Sequence, residues 1–294
     1  MLSYQNCTLC PRRCGVDRTG GQRGFCGMPG QLTAAKAMLH YGEEPPISGS
    51  YGTGAVFFSG CTLRCAFCQN ADISAGGRGI ALDAARLREI FERLIDEGAQ
   101  SIDLVTPTQF LPDLLPALTP KLPVPVVYNC GGYESAETLR ALEGLVDIYL
   151  PDFKYADNAL AAKLSRAPDY FETACAALKE MYRQVGGAVI EDGVMQRGML
   201  VRHLVLPGYL DNSLRVIEWF AGAFPKHDVL FSLMSQYVPM GALEPPLDRR
   251  LTEEEYDGAV SWMELCSIEN GFTQDFSAAT TEYLPDFDFG GLNF

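Results

Sequence analysis

Six short apolar runs, at 55–59, 101–105, 125–129, 147–151, 200–206 and 229–234, each lead into a stretch of helical pattern, and this alternation narrows the fold more than any other feature. Strands alternating with helices predict repeated βα units around a parallel sheet. The clearest helix opens with Asp83 as N-cap, places Leu87, Ile90, Phe91, Leu94 and Ile95 on one stripe, and stops at Gly98. Another opens on the capping box Thr252 to Glu255 and is expected to run to Gly271. Between the fourth and fifth units, 170–185 reads as an added helix and Glu191-Asp192-Gly193 as a hairpin turn. Six units cannot close an eightfold barrel. The expected fold is therefore α/β, a partial (β/α)6 barrel with a lateral cleft, and the alternative is a doubly wound open sheet. Both put the chemistry on loops at the C-terminal ends of the strands.

A chain of 294 residues is within the range of one α/β barrel, and 47% hydrophobic residues with 20% charged is an ordinary globular composition. Residues 1–54 are rich in Cys, Gly and Pro without apolar period, so they read as an irregular N-terminal extension, with 55–294 as the barrel core and C-terminal segment. The net charge of -14 repels phosphate backbones and argues against nucleic acid as a partner. The N-terminus has no apolar signal core and no apolar stretch is long enough to cross a membrane, so a cytoplasmic protein without membrane partners is expected.

Seven of the ten cysteines fall within the first 68 residues, a concentration that favours metal binding over disulfides. Cys61, Cys65 and Cys68 follow the first strand in GCTLRCAFCQN (60–70). Three thiolates on a short loop can hold three irons of a [4Fe-4S] cluster and leave the fourth iron open. A zinc knuckle completed by a distant residue is the competing reading, although C-x3-C-x2-C is an unusual zinc spacing. Cys7, Cys10, Cys14 and Cys26 form a complete four-thiolate set, which suits a closed second metal site, either structural zinc or an auxiliary Fe-S cluster, an incidental set of free thiols being the alternative.

C-x3-C-x-aromatic-C after the first strand resembles the hallmark of the radical S-adenosylmethionine (SAM) superfamily. The ending Cys68-Gln69-Asn70 resembles the branch of pyruvate formate-lyase activating enzymes. EEPPISG (43–49), LVTPTQF (104–110), VYNCGGYES (127–135), DIYLPDFKYAD (147–157), VRHLVLPGY (201–209) and SLMSQYVP (232–239) extend the similarity towards its PflX-like homologues, nearly end to end. The resemblance implies a [4Fe-4S] cluster and SAM as cofactors, a low-potential electron donor, and reductive cleavage of SAM to a 5′-deoxyadenosyl radical. That radical would take hydrogen from a substrate, with a glycine of a partner protein as one candidate and another peptide or a small molecule as the others. A zinc-stabilised binding protein is the reading from a different class. A methyltransferase of the glycine-rich-loop type is disfavoured, because the cysteine loop stands where that loop would be.

The same resemblance suggests who would hold SAM. Thr106-Pro107-Thr108 replaces the Gly-Gly-Glu turn usual at the second strand end, leaving Thr106 and Thr108 as backbone contacts, a plain turn being the alternative. Asn129 at the third strand end can donate and accept towards ribose hydroxyls. Asp152 and Lys154 share one face of the fourth strand, where Lys154 would meet the SAM carboxylate, a mutual ion pair being the alternative. Arg202 and His203 point to opposite faces of the fifth strand, and His203 is the one expected to face inward. Gln236 and Tyr237 are expected in the substrate cleft. Cys130 is read as a buried thiol without a role.

Overall fold

Strands buried on both faces lose the polar-apolar alternation of a half-exposed sheet, which is why the six runs read as continuous. The computed structural model describes residues 2–276 and 285–293. In it the six runs form β2 (Thr53–Phe58), β4 (Ile102–Val105), β5 (Val126–Cys130), β6 (Ile148–Pro151), β8 (Val194–Leu204) and β9 (Leu230–Met234). Neighbours along the order β9-β8-β6-β5-β4-β2 pair in parallel. The sheet is curved without closing, as expected of a partial barrel.

Three strands were not expected, and a fourth completes the expected hairpin. β1 (Thr33–His40) runs antiparallel on β2 and carries the short β3 (Ile80–Ala81) on its other edge. The N-terminal extension is thus irregular only as far as Leu32 and then joins the sheet. β7 (Val189–Glu191) forms a hairpin with β8 whose two turn residues, Asp192 and Gly193, both have positive φ, as a tight primed turn requires. β10 (Gly271–Thr273) adds to β9 in parallel. The helix expected to reach Gly271 ends at Leu265, and the chain reverses through Ser267 at φ 55°. Gly271 is needed as strand residue, because a Cβ there would stand 2.1 Å from the Phe231 carbonyl oxygen.

The helices are α1 (Pro45–Ser48), α2 (Ala71–Ser74), α3 (Ala84–Asp96), α4 (Leu111–Ala117), α5 (Ala136–Leu139), α6 (Asn158–Ser165), α7 (Tyr170–Val185), α8 (Leu210–Ala223) and α9 (Glu253–Leu265). α3 starts where Asp83 accepts a hydrogen bond from the Arg86 amide, and it buries Leu87, Ile90, Phe91 and Leu94. α9 has both bonds of its capping box.

Alternation along the strands sorts side chains into two sets. Val127, Ile148, Leu150, Leu200 and Leu230 pack together around Ile47 of α1, which plugs one end of the barrel. Their neighbours Tyr128, Tyr149, Val201 and Phe231 face the helices in the main core. Continuing the inward parity upward places Asn129, Asp152, Arg202 and Ser232 above the plug, with Asp103 beside Val127 at its upper edge.

Candidate active site

The inward side chains and the loops at the C-terminal strand ends enclose a cavity of about 420 Å³. One wall is the cysteine loop. It leaves β2 through Gly60 (φ 79°), where a Cβ would lie 2.3 Å from Met28 and 2.7 Å from the Cys26 carbonyl oxygen, so only glycine allows the loop to close against the N-terminal segment. Cys61, Cys65 and Cys68 all line the cavity. The Cys61 sulfur accepts from the Leu63 amide at 3.3 Å, the Cys65 sulfur from the Ser165 hydroxyl at 3.0 Å, and the Cys68 sulfur lies 3.3 Å from the Ser74 hydroxyl. Burial, reinforced by Cys65, pushes the Cys61 thiol up to about 12 and raises Cys68 in the same way. Three thiolates here repel one another in a desolvated site, and a group of bound irons removes that penalty. The donor set fits a [4Fe-4S] cluster held by Cys61, Cys65 and Cys68, with no fourth thiol offered from this loop.

The opposite wall is a buried charge network centred on Arg202. Its Nη1 donates to Glu43 at 2.8 Å, its Nε to Asp152 at 2.8 Å and its Nη2 to the side-chain oxygen Oδ1 of Asn129 at 2.7 Å, with Glu44 at 3.6 Å. Lys154 closes the network on Asp152 at 2.6 Å. The Asn129 amide donates to Glu43 and to Asp103. Burial raises Asp103 well above the usual carboxylate range, and lifts Glu44 to about 7 against the pull of Arg202. Burial disfavours the charged forms of Asp152 and Lys154 too. There the ion pairs win: Arg202 and Lys154 hold Asp152 below its ordinary value, and Asp152 holds Lys154 above its own.

The structure brings Thr106, Asn129, Asp152 and Lys154 to the cavity with the three cysteines. It turns two expected residues away. Thr106 has φ 58°, which breaks the strand alternation, and Thr108 points outward, donating to Glu134 at 2.8 Å and accepting from Tyr128 at 3.0 Å. His203 is also outside. Its ring is fully buried between the Phe153 carbonyl oxygen (2.7 Å) and the Ser213 hydroxyl (2.9 Å), and burial lowers its pKa to about 4. Arg202 faces inward in its place, because a bridge between Asp152 and Arg202 puts the two side chains on the same face. Gln236 lines the cavity, whereas Tyr237 packs beside Phe67 and donates to the Leu247 carbonyl oxygen. The Lys154–Asp152 ion pair forms on the cavity wall itself, and the Asn129 amide is committed to the Arg202 network.

Sequence reasoning assigned no role to three residues that shape this site. Glu43 and Glu44 come from the segment before α1. Gln109 is buried behind the turn, and its amide nitrogen reaches the carbonyl oxygens of Ser59, Gly60 and Thr106 at 2.9, 3.1 and 2.8 Å, tying the start of the cysteine loop to the turn after β4. The adjacent acidic pair and the glutamine inside a quoted motif were the available signals.

Of the N-terminal set, Cys7 and Cys26 are buried and Cys10 and Cys14 partly so. Cys10 feels the charge of Cys14 and Cys26, and Cys26 that of Cys7 and Cys14, so the four share one neighbourhood. Among the described residues, no three His, Cys, Asp or Glu side chains converge to hold a single metal ion. Among them too, no helix is long and apolar enough to cross a membrane.

Residues 55–221 match the Radical SAM superfamily pattern. An uncharacterized protein of Methanocaldococcus jannaschii is 30% identical over 278 residues, covering 90% of this chain and 76% of its own. A lipoyl synthase of Kocuria rhizophila is 26% identical over 211 residues, covering 67% of this chain and 56% of its own. A radical SAM methyltransferase from Sphaerobacter thermophilus shares the fold, with a TM-score of 0.52 at 14% identity over 76% of this chain and 66% of that one. The likeness to the synthase and the methyltransferase covers less than two thirds of either, so their activities do not come over with it. The superfamily match runs from β2 through the cysteine loop and the charged strand ends into α8, and on that match the chain belongs to the radical SAM superfamily.

Proposed function

We propose that this radical SAM enzyme takes a hydrogen atom from a glycine of a partner protein, in the manner of an activating enzyme. The observation that carries the radical reading is the meeting, in one cavity, of three cluster-type cysteines with the Asp152–Lys154 pair. Cys61, Cys65 and Cys68 would hold a [4Fe-4S] cluster, which with bound SAM would supply a 5′-deoxyadenosyl radical by reductive cleavage. The chain's residues do the rest. Lys154 presents a charged ammonium to a carboxylate, Asp152 holds that ammonium in place, and the Thr106 turn offers backbone polar groups. Phe57, Leu63, Phe67 and Ile73 on the lining exclude water from the reacting atoms. The glycine assignment rests on the motif resemblance and on an open sheet, which leaves lateral room for a peptide loop. The electron comes from a low-potential donor, and Cys7, Cys10, Cys14 and Cys26 hold zinc or an auxiliary cluster in the same proposal.

The test is anaerobic reconstitution with iron and sulfide, addition of dithionite and SAM, and mass spectrometry for 5′-deoxyadenosine. Product from the wild type and none from the variant with Cys61, Cys65 and Cys68 all changed to Ala is the expected result. Equal product in both, or none from fully loaded wild type, overturns the radical reading. Deuterium passing into 5′-deoxyadenosine from proteins labelled at the glycine Cα is the result expected of the activating-enzyme reading, and its absence overturns that part alone.

A further inference from the structure

In the N-terminal lobe, residues 2–32, one side chain reaches both the cysteine loop and the end of α6. Arg12 stands between Cys10 and Cys14. Its Nε donates to the Thr62 carbonyl oxygen at 2.9 Å, inside the cysteine loop, and its Nη2 donates to that of Ser165 at 2.9 Å, while Nη1 donates to that of Arg166. The guanidinium is stacked at 3.8 Å from the Phe25 ring centroid and 5.0 Å from that of Tyr133.

Each acceptor has a reason to need this donor. Ser165 ends α6 and Arg166 caps it in the left-handed conformation, so their carbonyls belong to the set a helix C-terminus leaves without intrahelical partners. A cation there also meets the negative end of the helix dipole. Ser165 is in turn the residue whose hydroxyl touches the Cys65 sulfur, and the Leu164 carbonyl oxygen accepts from the Ala66 amide. One planar fork therefore joins the cysteine loop to the helix end that contacts it at Cys65 and Ala66. The lobe's cysteines support the fork: the Phe25 amide donates to the Cys14 sulfur at 3.2 Å, and the Arg13 amide donates to the backbone carbonyl oxygen of Cys10 at 3.0 Å.

We infer that Arg12 is a positioning residue through which the four-cysteine lobe locks the cysteine loop against the C-terminal end of α6. Order in the lobe and the arrangement of Cys61, Cys65 and Cys68 are then one variable. The inference rests on the radical SAM reading only for what the loop holds; the lock itself is a property of the chain without cofactor.

Hydrogen exchange followed by mass spectrometry on the full chain without cluster tests it directly, in wild type, Arg12→Ala and Arg12→Lys. Loss of the three guanidinium bonds to backbone carbonyls is expected to lower protection at least about tenfold in peptides covering 61–68 and the end of α6, with peptides of α3 unchanged. Lysine keeps the charge but not the planar fork, so it restores little. Unchanged loop protection in Arg12→Ala overturns the inference. So does full rescue by lysine, which would make the role one of charge alone, and so does an equal loss across the chain, which would make it one of global stability. In the reconstituted protein, Arg12→Ala is expected to shift the electron paramagnetic resonance spectrum of the reduced cluster. A wild type that takes up no cluster on Cys61, Cys65 and Cys68 would sink the proposed function and leave the exchange result to judge the lock.

Discussion

Arg202→Met is the most informative single change, because the side chain is replaced by an apolar one of similar reach while four acidic groups keep their places. Arg202 bonds Glu43, Asp152 and Asn129 directly and faces Glu44 at 3.6 Å. Breaking a buried pair by removing one partner costs about 3–5 kcal/mol, since the remaining charge keeps its desolvation penalty. Among the described residues, only Lys154 would remain to neutralise these carboxylates. The deficit has a pH signature. Arg202 is the largest influence holding Glu44 down to about 7 against burial, and it also lowers Asp103, so both rise when it is removed. A carboxyl whose folded pKa lies above its unfolded value keeps a proton the unfolded chain has released, so stability falls as pH rises between the two values. In the wild type that fall ends near pH 7 for Glu44; in the variant it continues at about 1.4 kcal/mol per pH unit for each such group. Equilibrium urea unfolding of the cofactor-free protein is expected to show a deficit of about 3–5 kcal/mol at pH 7, growing by about 2 kcal/mol at pH 8.5. A deficit below about 1 kcal/mol, or one equal at pH 6 and pH 8.5, would refute the view that Arg202 holds this wall together.

Two further changes read buried groups off the cavity. His203 is neutral when folded, with a pKa near 4, so the unfolded chain takes a proton that the folded one refuses and stability is lost as pH falls from about 6.5 to 4. His203→Gln should flatten that acid limb by up to about 3 kcal/mol, seen as a shallower fall of Tm with acid; parallel limbs would refute it. Glu134 keeps its proton to about pH 8 because it is buried, so the wild type loses stability as pH climbs from about 4.5 to 8. Glu134→Gln should gain about 4 kcal/mol relative to wild type at pH 8 and almost nothing at pH 4.5, and a constant difference in urea midpoints would tell against it.

What the sequence made legible was local. The cysteine loop, the N-caps at Asp83 and Thr252 and the Asp192-Gly193 turn are each specified by residues within a few positions of one another, and each is found where its pattern lies. The six parallel strands were legible because burial on both faces makes them continuous apolar runs. That same burial erased the parity signal: with Val201 and Leu204 buried or nearly so beside them, nothing local says whether Arg202 or His203 faces inward. Thr108 was misplaced for a related reason, since the positive φ of Thr106 resets alternation one residue before it matters.

The residues overlooked altogether, Glu43, Gln109 and Arg12, have their key partners far along the chain. Glu43 meets Arg202 across 159 positions, Arg12 meets Ser165 across 153, and Gln109 reaches Ser59 across 50. All three come from connecting segments; Glu43 and Gln109 tie parts of the cavity wall together, and Arg12 ties the cysteine loop to the helix end behind it. Arg18 extends the pattern: fully buried in the N-terminal lobe, it donates to the carbonyl oxygens of Met28, Pro29 and Gln109, so the lobe holds the very residue that gathers Ser59, Gly60 and Thr106. The barrel supplies inward directions, but the positions of the three cysteines relative to the Asp152–Lys154 wall are set by these long-range polar ties. A substitution in the lobe should therefore disturb the cavity more than one of equal size on the outer face of α3, which touches no part of it.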